Sequence, residues 1–347
     1  MSNQSRPQGR ATLQEVAEKA GVSATTASLV LAGKAGRRRI SEEAHIRVRK
    51  AAEELNYAPN LLVRSLRRGR THIISFYNSF RQRPSQDLYL DKLAASVEYA
   101  GGAFGYDILV HCNFDRSVNE TYQFLNGGLS DGLLVFAPVE GDPLVEQLRR
   151  SNLPVVLLNT RDPKGQFPSV ADDGEMGMKI VAETLVDLGH RRIAAFKREG
   201  PHIRDAGRRV RLLRKYLADL GVQVDEELVV EFEAGQVETL KRLMDHPKPP
   251  TAIFCWHDHT AYFALEACAE LGISVPDQLS IVGYDGIRWP SATAHVAASV
   301  KVDLELLARR GIRLLDLVIQ GYEGPLIEEV LPVAFSPGTT LGPVRRL

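Results

Sequence analysis

A chain of 347 residues is too long for one small domain and suits two or three. Its 44% hydrophobic and 25% charged residues are ordinary for a globular protein, and no apolar run approaches the length of a membrane-spanning helix, so a membrane partner is not expected. The formal charge of zero conceals an asymmetry: residues 1–71 carry 14 Lys and Arg against 6 Asp and Glu, and the remainder 29 against 37, so only the head is suited to a polyanion.

The polar start, MSNQSRPQGR, lacks the apolar core of a secretory signal, and a cytoplasmic location is expected. Thr12-Leu13-Gln14-Glu15 then reads as a capping box opening a helix with Leu13, Val16, Ala17 and Ala20 on one face. Gly21 suits a left-handed stop, and Ser23 can cap a second helix over 24–32 with Ala27, Val30 and Leu31 inward. A third helix is predicted from the cap Ser41 to about Asn56, with an apolar stripe of Ala44, Ile46, Val48, Ala51, Ala52 and Leu55. Two short helices around a glycine turn make a helix-turn-helix, whose second helix enters the major groove of DNA by its N-terminal end. The small side chains Ala24, Thr25 and Thr26 would permit close approach there.

After Pro59, residues 61–70 mix Leu62, Val63 and Leu66 with Arg64, Arg67 and Arg68. The segment is too short for a stable isolated helix and suits one that orders on a minor groove. From His72 the texture changes to apolar strands alternating with amphipathic helices. Strands are predicted at 72–77, 106–113, 132–137, 155–159, 192–196, 229–233, 252–256 and 279–284. Helices fill the gaps at 89–104, 119–127, 143–152, 175–188, 205–220, 236–246 and 260–271. The fold class is therefore α/β: an all-α helix-turn-helix headpiece followed by two doubly wound lobes of parallel sheet, with ligand expected in the cleft between them.

Cys112, Cys255 and Cys268 are far apart and read as reduced core thiols. The run Cys255-Trp256-His257-Asp258-His259 has zinc-like residue types, but it lies at a strand-to-helix junction without a second cluster, so no metal is expected. Likewise His72, His111 and His295 read as strand-end or core-edge residues. No phosphate loop, nucleophile elbow or zinc-protease motif appears, and neither enzyme activity nor a cofactor is expected.

The block Thr12-Leu13-Gln14-Glu15-Val16-Ala17-Glu18-Lys19-Ala20-Gly21-Val22-Ser23 closely resembles the opening of the lactose-repressor and galactose-repressor family. So does Ala51-Ala52-Glu53-Glu54-Leu55-Asn56-Tyr57-Ala58-Pro59-Asn60, followed by Arg64-Ser65-Leu66-Arg67. Further on, Leu188-Gly189-His190-Arg191-Arg192-Ile193-Ala194 and the run from Val275 to Asp285 resemble its sensor-domain signatures. The resemblance implies a transcriptional repressor with a periplasmic-binding-protein-like sensor. It implies a headpiece over 1–58, a hinge over 59–71 and a sensor over 72–347. Lobe 1 would take about 72–168 and 300–328, and lobe 2 about 169–299 and 329–347. A homodimer or tetramer on a pseudo-palindromic operator is expected, in the nucleoid, and the tail from Ser336 lacks a tetramerising leucine heptad, which makes the dimer the default.

By the same resemblance the DNA-contacting residues are Thr12, Ser23, Ala24, Thr25, Thr26, Ser28, Leu29, Asn60, Arg64 and Leu66, with Leu66 the minor-groove wedge. Leu29 departs from the base-reading arginine of many relatives, and Gly36-Arg37-Arg38-Arg39 lengthens the turn before the third helix. Effector-contacting positions are Tyr89, Asp173, Arg209, His257 and Asp285, and Trp289, four residues past Asp285, either lines the same mouth or has a packing role. An arginine and carboxylates beside flat rings suit a sugar or sugar derivative, while His257 and Trp289 would also fit a nucleobase or aromatic acid. Two rival readings are a transporter's solute-binding protein, which shares the two-lobe fold but needs export and leaves the basic head unexplained, and an α/β enzyme with an accessory helical domain.

Overall fold

Thr12 opens the described chain as a complete capping box: the Glu15 amide donates to Thr12 Oγ1 at 3.3 Å, and the Thr12 amide donates to Glu15 Oε2 at 2.7 Å. The computed structural model describes residues 11–32, 40–58, 69–81, 87–198, 204–233 and 235–344. Asn60, Arg64, Leu66 and the 36–39 insertion lie outside the described residues. Contacts divide the chain into two units, Met1–Thr71 and His72–Leu347.

In the first unit, α1 (Leu13–Ala20) ends at Gly21, whose φ of 65° and ψ of 40° are left-handed and favour glycine. Ser23 caps α2 (Ala24–Leu31) by accepting from the Thr26 amide at 3.1 Å, and Ser41 caps α3 (Glu42–Glu54). Val16, Ala17, Ala20, Ala27, Val30, Val48, Ala51 and Ala52 form the core, small residues that let three short helices approach closely. The Arg47 Nε donates to the Ala20 carbonyl at 3.1 Å, tying α3 to the negative end of α1. Ile46 departs from the expected stripe and is 59% exposed, because the wide angular spread predicted for α3 exceeds what two short partners can cover.

The second unit holds two six-stranded sheets. Sheet 1 is built from β1 (Ile73–Asn78), β2 (Asp107–Val110), β3 (Gly132–Phe136), β4 (Val155–Leu158), β5 (Ser169–Asp172) and β11 (Glu328–Leu331), in the order β11-β5-β4-β3-β1-β2. Every pairing in it is parallel. Sheet 2 repeats the pattern with β6 (Ile193–Lys197), β7 (Val229–Glu231), β8 (Ala252–Cys255), β9 (Ser280–Asp285), β10 (Ala298–Lys301) and β12 (Ala334–Ser336), in the order β12-β10-β9-β8-β6-β7. Only β12 runs antiparallel in it. Buried strands such as Gly132–Phe136 and Val155–Leu158 read as unbroken apolar runs because helices cover both faces.

The connecting helices are α4 (Leu88–Ala103), α5 (Val118–Leu125), α6 (Pro143–Leu148), α7 (Gly174–Asp187), α8 (Arg204–Asp219), α9 (Val237–Met244), α10 (Asp258–Leu271) and α11 (Leu304–Ile319). The eight predicted strands are all present, and β5, β10, β11, β12 and α11 are additional. The sheets also move the expected lobe boundaries. Ser169–Asp172 and Glu328–Leu331 pair within sheet 1, and Ala298–Lys301 within sheet 2. The chain changes lobe only after completing each strand, between Asp172 and Gly174, Lys301 and Leu304, and Leu331 and Ala334. All three crossings leave from carboxyl ends of strands, so the carboxyl ends of both sheets border one junction. Each sheet has its order reversal there, between β1 and β3 and between β6 and β8, which is where open α/β sheets bind ligands. Among the described residues no helix is long and apolar enough to cross a membrane.

Candidate functional site

Two sites follow from this frame, one in each unit. In the headpiece, Ala27 and Val30 turn α2 inward, which leaves Thr25 exposed and Ser28 and Leu29 half-buried on its other side. Ala24 packs against the helical core. The Ser23 and Thr26 hydroxyls lie 2.9 Å apart within the cap, and the Thr12 hydroxyl is engaged with Glu15. Thr25 is thus the residue of the expected set that α2 presents outward most directly, flanked by Ser28 and Leu29.

In the sensor unit the site grows from β9. Its last residue, Asp285, has a φ of 106° although it is not glycine, a strained conformation held by the β10 pairing opposite Lys301. The carboxylate accepts from Arg209 Nη2 at 3.2 Å, and Arg209 Nη1 donates to the Trp256 carbonyl at 2.6 Å. The guanidinium lies 3.7 Å from the ring centre of Tyr284, so Arg209 is fixed by a carboxylate, a carbonyl and a π face at once. Arg209 and Asp285 are each 8% exposed.

Behind this pair, Asp258 is 1% exposed. It accepts from Ser299 Oγ at 2.7 Å and from the Ile287 amide at 2.5 Å. Burial pushes its carboxyl well above the usual range, and the nearby Asp285 adds to the shift. A side chain at Gly283 would occupy the same space, since a Cβ there would fall on Asp258.

His257, the first residue after Trp256, caps α10: its Nδ1 accepts from the Thr260 amide at 3.0 Å and lies 2.9 Å from the Thr260 hydroxyl. Burial holds this imidazole well below its ordinary pKa, and His259, Arg209 and Arg198 repel a positive charge there. Its ring stacks on Trp256 with centroids 3.6 Å apart and planes 24° from parallel. The next layer is a second stack, His259 on Trp289, at 3.6 Å and 1°.

The structure therefore joins three of the six expected effector positions, Arg209, Asp285 and His257, around Trp256. The other three have partners elsewhere. Trp289 is 8% exposed and packs on His259 in the core. Asp173 caps α7, accepting from the Met176 amide at 2.9 Å. Tyr89, in the first turn of α4, packs on Phe136 at 5.9 Å. Three residues that the sequence reading passed over belong to the junction. Trp256 is the first, and the others are Tyr284 and Asp172, joined by a 2.6 Å hydrogen bond from the tyrosine hydroxyl across the two sheets. Their signal was available in the strand ends, since Tyr284 directly precedes Asp285 and Trp256 precedes His257.

The zinc-like run resolves into other work. Cys255 is fully buried, with its thiol pushed up by burial, and His257 Nδ1 is committed to the cap. A separate cavity of about 130 Å³ lies in the first lobe, beside the buried Arg149–Asp162 pair. Asp162 accepts from both Arg149 Nη atoms at 2.6 Å and from the Lys164, Gln166 and Phe167 amides, so this pair ties down a loop.

Burial also holds His111, His190 and His259 below their ordinary values. Such an imidazole takes up a proton more readily once the chain unfolds. Its contribution is complete above the unfolded-state value of about 6.5 and is lost as pH falls through it towards the folded values. The melting temperature of the protein is therefore expected to drop by at least about 3 °C between pH 7 and pH 5.5. A melting temperature that stays level over that interval would show these rings to be exposed to protons in the native state.

Comparisons with known proteins place both sites in context. The model of the lacI family of bacterial regulatory proteins matches residues 12–60, and that of the periplasmic binding protein-like domain matches residues 182–341. The HTH-type transcriptional repressor PurR of Proteus mirabilis (strain HI4320) is 30% identical over 333 residues, 93% of this chain and 94% of that protein. PurR of Erwinia tasmaniensis is 29% identical over 332 residues, with the same coverage. Among solved structures, the transcriptional regulator CelR–cellobiose complex is 25% identical with a TM-score of 0.68, covering 95% of this chain and 100% of that one. The Lac repressor dimer bound to operator and the anti-inducer ONPF shares the fold at 24% identity and a TM-score of 0.81, covering 96% of this chain and 99% of that one.

Proposed function

The chain belongs to the bacterial lacI family of DNA-binding transcriptional regulators, and on that premise we propose that it is a repressor whose grip on an operator is set by a sugar or sugar derivative held between its two lobes. The observation that carries the sensing half is the Arg209–Asp285 pair, fixed on Tyr284 at the carboxyl ends of the second sheet. Arginine donates to sugar oxygens, the carboxylate accepts from hydroxyls, and the nearby rings cover an apolar sugar face. The CelR–cellobiose complex, a relative seated around a sugar, supports the same reading.

On the DNA side, α2 enters the major groove with Thr25, Ser28 and Leu29 facing the bases, and Thr12, Ser23, Ala24 and Thr26 set its approach. Asn60, Arg64 and Leu66, outside the described residues, act in the minor groove. Two copies of the chain bind two half-sites, and the basic head supplies phosphate contacts. The protein works in the cytoplasm, without catalysis. Leu29 offers no hydrogen bond, so specificity at its base step comes from contact with a thymine methyl or from DNA shape.

Selection of bound duplexes from a randomised pool tests the operator half. The expected product is a two-fold related pair of half-sites that survives competition with random DNA. Recovery of no enriched sequence would overturn it.

A further inference from the structure

The turn after β8 carries two ring N–H groups, those of Trp256 and His257. Trp256 Nε1 is buried and has no hydrogen-bond partner among the described residues. A buried indole N–H ordinarily finds an acceptor, and no described residue supplies this one. The neighbouring imidazole has its tautomer set by the backbone. The Thr260 amide can only donate, and it donates to His257 Nδ1 at 3.0 Å. The neutral ring therefore carries its proton on Nε2, which is left as a donor.

Trp256 and His257 are stacked, 3.6 Å between centroids, and each ring carries one N–H donor. Arg209 holds the carbonyl of the same turn at 2.6 Å, bringing a fixed positive charge beside the stack. Of the carboxylates at hand, Asp285 accepts from Arg209, and Asp258 from Ser299 and Ile287.

A sugar hydroxyl can accept from such a donor, but it brings a hydrogen that needs its own acceptor. A carboxylate brings none, is planar, and accepts at both oxygens. Resting on the carbohydrate reading above, we infer that the site takes an acidic sugar, an aldonate or uronate, whose carboxylate accepts from the Trp256 and His257 ring N–H groups. Trp256 is then the specificity-determining residue that separates the acid from its neutral parent.

Calorimetric titration of the full chain with glucuronate, galacturonate and gluconate tests this, against glucose, galactose, glucose 6-phosphate and adenosine. At least one sugar acid is expected to bind about tenfold or more tighter than its neutral parent. Trp256→Phe keeps a flat ring and deletes the donor, and it should lose about tenfold for that acid while the neutral sugar changes little. His257→Ser keeps a hydroxyl to cap α10 and should lose affinity for the acid in the same way. Unfolding curves of both variants check that the domain remains intact.

A neutral sugar bound as tightly as its acid, or a sugar phosphate bound in preference, would overturn the inference and leave the carbohydrate reading standing. Undiminished affinity of Trp256→Phe for the acid would overturn it too. Binding of adenosine with no sugar of either kind, or binding of none of these probes, would remove the carbohydrate reading and this inference together.

Discussion

Arg209→Ala is expected to abolish the response to effector and to destabilise the sensor unit by about 3 kcal/mol, since removing one partner of a buried ion pair strands the other. Three contacts disappear at once: the hydrogen bond to Asp285, the hydrogen bond to the Trp256 carbonyl and the stacking on Tyr284. Asp285, 8% exposed, then loses the guanidinium that its carboxylate faces, with the buried Asp258 behind it. Arg209→Lys restores the charge, but an ammonium lacks the planar fork that reaches carbonyl and carboxylate together, so it should recover part of the stability and little of the ligand response. Denaturant unfolding gives the first quantity, and the ligand-induced shift in melting temperature gives the second. An alanine variant as stable as the parent, with an equal ligand shift, would remove Arg209 from the account.

The second large effect is expected in the headpiece. Val16 and Val48 are both 0% exposed, in a core made almost wholly of alanine and valine. A domain of this size buries too little surface to hold more than a few kcal/mol. An unpaired buried carboxylate costs several kcal/mol, so Val48→Asp should unfold the three helices outright. Operator affinity should then fall at least about 100-fold. The sensor unit folds through its own contacts, and its unfolding transition and ligand binding should remain those of the parent. Ile46→Ala is the natural control, because Ile46 is on the same helix but 59% exposed, and its removal should change headpiece stability by less than about 0.5 kcal/mol. Helical circular dichroism of the isolated transitions, read beside DNA binding, separates the two variants. Equal behaviour of Val48→Asp and Ile46→Ala would contradict the assigned core.

Local chemistry was the part of this molecule most legible in its sequence. The box at Thr12 and Glu15, the left-handed Gly21 and the caps Ser23 and Ser41 each act within four residues, and each is present. Buried strands such as Ile253 and its neighbours are equally plain, because an apolar run bounded by turns has few alternatives. Short strands that depend on a distant partner were hidden. Glu328–Leu331 is a strand because it lies beside β5, and Ala334–Ser336 because it lies beside β10. Neither segment has a pattern strong enough to announce itself.

The same distinction governs the site. Arg209 and Asp285 are recognisable through motifs, and they do meet. The Tyr284–Asp172 bond joins residues 112 positions apart, and no local rule connects them. Resemblance makes Asp173 an effector position, while its place before Gly174 gives its carboxylate the work of a helix cap. Trp289 was noted as a flat ring, while its partner His259 sits on another element. Trp256 was read only as part of a metal-like run. Its buried, unpartnered N–H becomes visible once the sheets are assembled around it.

The claim on which the rest depends is that occupancy of the sensor changes the affinity of the headpiece for one duplex sequence. Fluorescence anisotropy of the full chain on its selected duplex, titrated with and without a saturating sugar or sugar acid, reads this coupling directly. A complex that weakens steeply with salt, resists random competitor and shifts its dissociation constant at least about tenfold with ligand is the predicted result. A dissociation constant that is the same with ligand bound, or the same on random DNA, would contradict it.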